Sequence, residues 1–363
     1  MSIDLQRLVR PNVRTLKPYQ SARDTIQSGV LLDANENPFP VLKDGIELNR
    51  YPDPNQARLR QALADYTGLE PSNILAGAGS DEVLDWIFKV FLQPGQDLAA
   101  ILEPTYGMYQ VQADIMGVGT VALPLHGDDF SFSSPQFLKD VPEDAKVAFL
   151  CSPNNPTGNL LEADEILKLC RDWGKIVVLD EAYVEFAEKP SMASWVSQHP
   201  NLVILRTLSK AFGRAAIRLG YALASPPVIE YFRKVKAPYN LNALAQRQGV
   251  LALEDGPQRL AEILSERRRL RQALHEIPAV KRIFPSQCNF LLFRVAGASR
   301  LCLKLLERGV VVRDRSSMLG LADTIRVSIG RPQENDLFLK EFRRLVAPQE
   351  SPLRQSAPDG RTT

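Results

Sequence analysis

Histidine is scarce in these 363 residues: His126, His199 and His275 are the only three, and they lie far apart. That leaves no imidazole cluster for a histidine-built metal centre. The four cysteines, Cys151, Cys170, Cys288 and Cys302, are scattered too, without a CxxC pair. They read as the reduced thiols of a cytoplasmic protein rather than a disulfide framework or a zinc site. A surplus of charge of either sign is missing: 44 Lys and Arg face 42 Asp and Glu, a formal net charge of +2. Nothing in that balance argues for nucleic acid or a membrane surface as a partner. No run approaches the roughly 18 apolar residues of a membrane span. The opening MSIDLQRLVRPNV lacks the apolar core of a signal peptide. No internal repeat is found.

What is present is an ordinary globular balance, 45% hydrophobic and 24% charged, in a chain long enough for two domains. Residues 1–30, punctuated by Pro11 and Pro18, read as an arm rather than a core element. Residues 31–245 alternate apolar strands with helices: a glycine turn leading into a helix over 75–95, a strand and loop over 97–109, a strand ending in a turn over 146–158, a helix from about 162 to 173, and buried strands over 175–183 and at Leu202–Leu205. That alternation predicts a mainly parallel sheet covered by helices on both faces. From about 246 the texture changes to one long helix over 256–277, strands at 289–295, VVVRD and TIRVSIG, and a closing helix from 333. This predicts a smaller α+β domain over 246–346. The arginine run in the long helix is interspersed with Glu262, Glu266 and Glu276 and reads as a solvated helix face. The tail, 347–363, lacks apolar content and is expected to be disordered.

The residues that carry chemistry cluster at strand ends. Lys210 follows the apolar run Leu202–Leu205. The small residues Ala211, Gly213, Ala215 and Ala216 suggest a close-packed helical turn, with Arg218 two turns on. Partial burial would lower the amine's pKa and make it a nucleophile. Asp180 ends the strand 176–179, beyond which ligands gather in a parallel sheet; it is either a helix cap or a functional carboxylate. A lysine and an acid so placed meet the needs of pyridoxal 5'-phosphate, which takes a lysine on its aldehyde and an acid at its pyridine nitrogen. Gly77-Ala78-Gly79-Ser80-Asp81 opens a helix, as a tight turn or as a cradle for the cofactor's phosphate. Arg218, Thr207 and Ser209 could complete that cradle. Tyr106 is placed to cover a flat ring or to fill a core. Asn155 and Tyr183 could reach the ring's 3-oxygen, although the Pro-Thr-Gly after Asn155 also suits a turn.

The ordered set NPTG (155–158), DEAY (180–183) and Ser209-Lys210…Arg218 resembles the aspartate-aminotransferase-like pyridoxal-phosphate enzymes across nearly the whole chain. Within that group RPNVRTLKPYQSAR, DANENPFP, NRYPDP, PTYGMY, LDEAYVEF, LRTLSKAFG and VVRD…IRVSIG resemble the histidinol-phosphate aminotransferases. The resemblance implies a large cofactor-binding domain, a small domain, and an N-terminal arm packing with the small domain and a partner subunit of a homodimer. It implies amino transfer between L-histidinol phosphate and 2-oxoglutarate in histidine biosynthesis. Aromatic-amino-acid aminotransferases and threonine-phosphate decarboxylases share the scaffold and stay open as alternatives. By the same resemblance Lys210 is the Schiff-base lysine and proton shuttle, and Asp180 holds the ring nitrogen. Asn155 and Tyr183 contact the 3-oxygen, and Tyr106 stacks on the ring. Ser80, Asp81, Ser209 and Arg218 surround the phosphate, with Tyr51 reaching it from the other subunit. Tyr19, Arg313 and Arg326 face the substrate's anions, with Asn155 and Tyr239 beside them. Ala78, Arg214 and Cys288 depart from the family pattern, and Arg214 could add an anion contact near the lysine.

Overall fold

The structure, a computed structural model, describes residues 3–24, 28–40 and 48–347. Of the tail expected to be disordered, 348–363 lie outside the described residues. The chain begins with two short helices, α1 (Leu5–Leu8) and α2 (Pro11–Arg14), followed by α3 (Ala57–Thr67) and β1 (Ile74–Gly77). Then come α4 (Ser80–Phe91), β2 (Leu98–Glu103), α5 (Met108–Met116), β3 (Gly119–Pro124), α6 (Ser134–Asp140), β4 (Ala145–Cys151) and α7 (Ala163–Trp173). They are succeeded by β5 (Ile176–Asp180), β6 (Leu202–Thr207), β7 (Gly220–Leu223), α8 (Pro226–Val235), α9 (Ala243–Asp255) and α10 (Leu260–His275). The chain closes through β8 (Val280–Ile283), β9 (Phe290–Val295), α11 (Ala298–Glu307), β10 (Arg313–Asp314), β11 (Thr324–Ser328) and α12 (Pro332–Val346).

Seven strands form one sheet in the order β1-β7-β6-β5-β4-β2-β3. All its pairings are parallel except those of β7, which runs against both β6 and β1. The central strands are buried on both faces, which is why they read as unbroken apolar runs. Alternate residues feed two cores: Val177, Leu179, Leu202 and Ile204 one, and Ile176, Val178, Val203 and Leu205 the other. Helix α4 lies in the second core with Val83, Leu84, Trp86, Ile87, Phe88, Val90 and Phe91 all buried. Each such side chain contributes about 1.5–3 kcal/mol of burial. The second sheet, β10-β11-β9-β8, is antiparallel throughout and has its own core around Phe293, Ile325, Phe338 and Phe342.

Several expectations need correction. Residues 5–14, expected in an arm packed on the small domain and a partner subunit, pack against their own chain's α4. Val9, in the extended link after α1, and Val13, in α2, are buried in the core that holds α4, and Arg10 N donates to Val90 O at 2.8 Å. This stretch packs on the seven-stranded unit rather than on the smaller one. No α-helix follows Lys210. The chain makes a turn with Gly213 at φ +65°, then a single 3-10 turn over Ala215–Ile217, and returns as β7. Leu208 N donates to Leu219 O, and Thr207 pairs with Gly220, so it is this antiparallel return that brings Arg218 back beside the lysine. The helix expected over 256–277 begins only at Leu260, because Gly256 (φ +68°) and Arg259 (φ +57°) break the chain behind α9. Helix α9 itself runs through position 245 and packs Ala245, Val250, Ala252 and Leu253 into the core of the large sheet. The short strands β1, β3, β7 and β8 escaped sequence reading. Of VVVRD only Arg313–Asp314 pairs as a strand.

Candidate active site

The parallel strands β4, β5 and β6 end side by side, with Cys151 in register with Asp180 and Asp180 with Leu205. Their carboxyl ends, the first turn of α4 and the edge of the small sheet enclose a cavity of about 640 Å³. Into it come Ser80, Asp81, Tyr106, Asn155, Asp180, Tyr183, Thr207, Ser209, Lys210, Arg218, Arg313 and Arg326, all singled out from the sequence.

Asp180 is buried at the floor. Tyr109 Oη donates to its Oδ2 at 2.8 Å and Ala182 N to its Oδ1 at 3.0 Å. Burial pushes this carboxyl's pKa up; the two hydrogen bonds and the charge of Lys210 pull the other way. The turn after β6 puts the Lys210 ammonium 5.6 Å from the centre of the Tyr183 ring. Lys210 is open to solvent through the cavity, yet desolvation by the surrounding walls lowers its pKa, helped by Arg326 and opposed by Asp180. Tyr183 is buried edge-on against Phe290, ring centres 5.4 Å apart, and burial pushes its phenol up. Tyr106 stands edge-on to Tyr109 at 5.7 Å; burial first, then Asp81 and Asp180, raise its phenol to about 12.

The end of the cavity at α4 sets a helix start beside a guanidinium and the Asp81 carboxylate. Gly79 precedes the helix at φ +83°, and no side chain caps the first-turn N–H groups. A Cβ on Gly79 would stand 2.6 Å from Arg218 Nη2, and one on Gly220 only 2.2 Å from Ser80 N. Gly220 is therefore required by the close approach of β7 to backbone, and Gly79 by its left-handed conformation, since the guanidinium tip beside it can move. Arg218, in the left-handed region at φ +52°, reaches to 3.4 Å from Asp81 Oδ2. Thr207 lines the cavity, but its hydroxyl is committed to the turn: it donates to Leu219 O and accepts from Ser209 N.

The opposite wall comes from the small sheet. Arg313 and Arg326 face each other across β10 and β11. Arg326 Nη1 donates to Asn155 Oδ1, and its guanidinium lies 5.1 Å from the Phe290 ring centre. Burial lowers the Arg326 pKa and Arg313 adds to that, while Tyr183 opposes it. Two residues that sequence reading did not single out complete the site, Tyr109 beneath Asp180 and Arg315 beside Arg313. Tyr109 lies three positions after Tyr106 at the start of α5, but nothing in the sequence reveals its partner.

Tyr19, Tyr51 and Tyr239 are not among the cavity-lining residues. Tyr19 is 76% exposed, and Tyr51, 50% exposed, stacks on Tyr239 with ring centres 4.4 Å apart. Tyr51 N donates to Glu36 Oε1, and the Glu36 carboxylate is held by Arg23 and Arg50. Arg214 turns to Asp255 at 3.6 Å and makes a local ion pair there. Cys288 is fully buried beside Asn154 O. Among the described residues, no three His, Cys, Asp or Glu side chains gather as a metal site, and no helix is long and apolar enough to cross a membrane.

Comparison with known proteins places these observations in a family context. The model of the family "Aminotransferase class I and II" matches residues 19–342. A curated relative from Parabacteroides distasonis, named histidinol-phosphate aminotransferase, is 43% identical over 347 residues, covering 94% of this chain and 99% of its own. A solved histidinol-phosphate aminotransferase from Sinorhizobium meliloti, in complex with pyridoxal-5'-phosphate, superposes with a TM-score of 0.72 at 26% identity, covering 82% of this chain and 83% of that one. L-threonine-O-3-phosphate decarboxylase from Porphyromonas gingivalis superposes with a TM-score of 0.70 at 25% identity, covering 82% and 91%.

Proposed function

The chain belongs to the class I and II aminotransferase family, and from that premise we propose that it transfers an amino group between L-histidinol phosphate and 2-oxoglutarate, using pyridoxal 5'-phosphate. The observation that carries this reading is that Lys210, Asp180 and the uncapped start of α4 share one cavity with a wall of arginines. The donor set in the cavity suits such a cofactor: Lys210 would take its aldehyde, the buried Asp180 its ring nitrogen, and the start of α4 with Arg218 its phosphate. When bound, the cofactor supplies an electron sink for the amino-bearing carbon of the substrate.

The protein's own groups do the rest. Lys210 Nζ, its pKa lowered, takes a proton from that carbon and returns one. Asp180, held by Tyr109 and Ala182, keeps the ring nitrogen protonated. The α4 N–H groups, Ser80, Ser209 and Arg218 hold the phosphate. Tyr106 covers the ring, while Tyr183 and Asn155 serve its 3-oxygen. Arg326, with Arg313 and Tyr19, takes the substrate's anion, whether phosphate or carboxylate, since a guanidinium fork matches both. Tyr51 is read as serving the phosphate site of a partner subunit in a cytoplasmic homodimer. The reading of a large cofactor unit and a small one is supported by the two separate sheets.

Amino transfer from histidinol phosphate and from phenylalanine to 2-oxoglutarate, measured side by side, tests the substrate class. The decarboxylase reading is favoured by the second structural likeness, and carbon dioxide release from threonine phosphate tests it. Turnover of histidinol phosphate well above the other two is expected. Preferential carbon dioxide release would replace the aminotransferase reading.

A further inference from the structure

Arg315 N donates to Thr324 O at 3.0 Å and so extends the β10–β11 pairing one residue beyond Asp314. Residues two apart on an extended strand share a face, so Arg313 and Arg315 point the same way, and Arg326 faces Arg313 across the pairing. All three line the cavity. Asp314, on the other face, accepts from Ser316 N and Oγ. Among the described residues the Arg315 guanidinium has neither a hydrogen-bond acceptor nor an ion-pair partner, and its Nε is buried and unsatisfied. Arg326 shares the unsatisfied Nε but differs in that its Nη1 is already engaged with Asn155.

Three guanidinium groups crowded on one wall without a paired carboxylate repel one another. The cost shows in Arg315, whose pKa is lowered by burial and by Arg326 and Arg313. Such a cluster is relieved by a bound anion of high charge. We propose that Arg315 is a substrate-binding residue that selects a phosphate dianion over a carboxylate at the distal end of the amino donor; this rests on the donor reading above. Coulomb energy scales with the product of the charges, so one added cation acts about twice as strongly on a dianion as on a monoanion. In ratios, a change that costs a carboxylate about threefold costs a phosphate about tenfold.

The holoenzyme and its Arg315→Gln and Arg315→Lys variants test this. Glutamine keeps donors and comparable reach but loses the charge; lysine restores the charge. The KM for histidinol phosphate is expected to rise about tenfold in Arg315→Gln, that for glutamate about threefold, and that for phenylalanine not at all, with kcat nearly unchanged. Lysine should recover most of the loss. Cofactor absorbance, unchanged in all three proteins, excludes a folding or loading defect. Inorganic phosphate, as an inhibitor competing with whichever amino donor is turned over, should bind about tenfold more weakly to Arg315→Gln. If wild type does not turn over histidinol phosphate, the donor reading falls, and the phosphate inhibition still judges Arg315. Equal inhibition constants, or an equal rise in KM for phenylalanine, would overturn the proposal.

Discussion

At the scale of single residues, Asp180 depends on a neighbour that does not itself line the cavity. Tyr109 donates to one carboxylate oxygen, and Ala182 N fixes the other. Replacing Tyr109 by Phe removes a buried hydrogen bond to a charged group, and a loss of about tenfold in kcat with the cofactor still bound is expected. Asp180→Asn should lower kcat about 10²–10³-fold, the usual cost of removing a charge-stabilising group at the reacting centre. A Tyr109→Phe enzyme with full activity would show that the tyrosine only fills space. Lys210 leads to a pH prediction. Its pKa lies below the ordinary 10.5, so the neutral, reactive amine gains population at a lower pH than in a free lysine. The rate at which the cofactor-free protein captures added pyridoxal 5'-phosphate on Lys210, followed by absorbance, should rise with pH through a midpoint below that of free lysine. Arg326 is one of the charges holding the pKa down, so Arg326→Gln should move the midpoint upward; an unmoved midpoint would discount that coupling.

At the scale of elements, the closest packing in the site is the approach of β7 to the start of α4. A Gly220→Ala side chain would lie 2.2 Å from Ser80 N, so the helix start must shift. A loss of about 1–3 kcal/mol in urea unfolding is expected, with cofactor affinity falling alongside it. Unchanged affinity would mean that the first turn of α4 does not hold the phosphate. This scale also shows what the sequence could reveal. β4, β5 and β6 are legible because burial on both faces leaves uninterrupted apolar runs. α4 is legible because its apolar residues recur with the helical period. β1 and β7 are four residues each, contain glycine, and pair antiparallel at one side of the sheet, so no periodicity marks them. The turn after Lys210 was misread because small residues suit a close-packed helix and a tight return equally well. The cavity residues from NPTG, DEAY and Ser209-Lys210 were legible because each sits directly after an apolar strand. Arg315 and Tyr109 were not, since their importance comes from neighbours distant in sequence.

At the scale of the whole molecule, three tyrosines expected at the site, Tyr19, Tyr51 and Tyr239, stand outside the cavity of their own chain. Tyr19 and Tyr51 are exposed, near the exposed apolar side chains Val30, Leu32 and Phe39 in the same part of the sequence. In a two-fold dimer such groups could serve the neighbouring site. Mixing Lys210→Ala with Tyr51→Ala protein under exchange conditions tests this directly. Each hybrid would hold one intact site, and random pairing should restore about a quarter of wild-type activity. No recovery above the sum of the parents would place Tyr51 in its own subunit's chemistry or in none.

Helix α10 joins two bodies. Leu260, Ile263 and Leu264 lie against the core of the seven-stranded sheet, whereas Leu270 and Leu274 belong to the core of the four-stranded one. Midway, Arg267 Nη1 donates to Phe186 O and Cys288 O, both residues of the core of the seven-stranded sheet. This rod behaves like an axle with a pinned centre. A turn of the arginine wall towards Lys210 would bend the rod beyond Arg267, whereas sliding the rod would break both hydrogen bonds. Spin labels across the cleft should therefore report a change of angle on ligand binding, while labels at the two ends of α10 keep their separation.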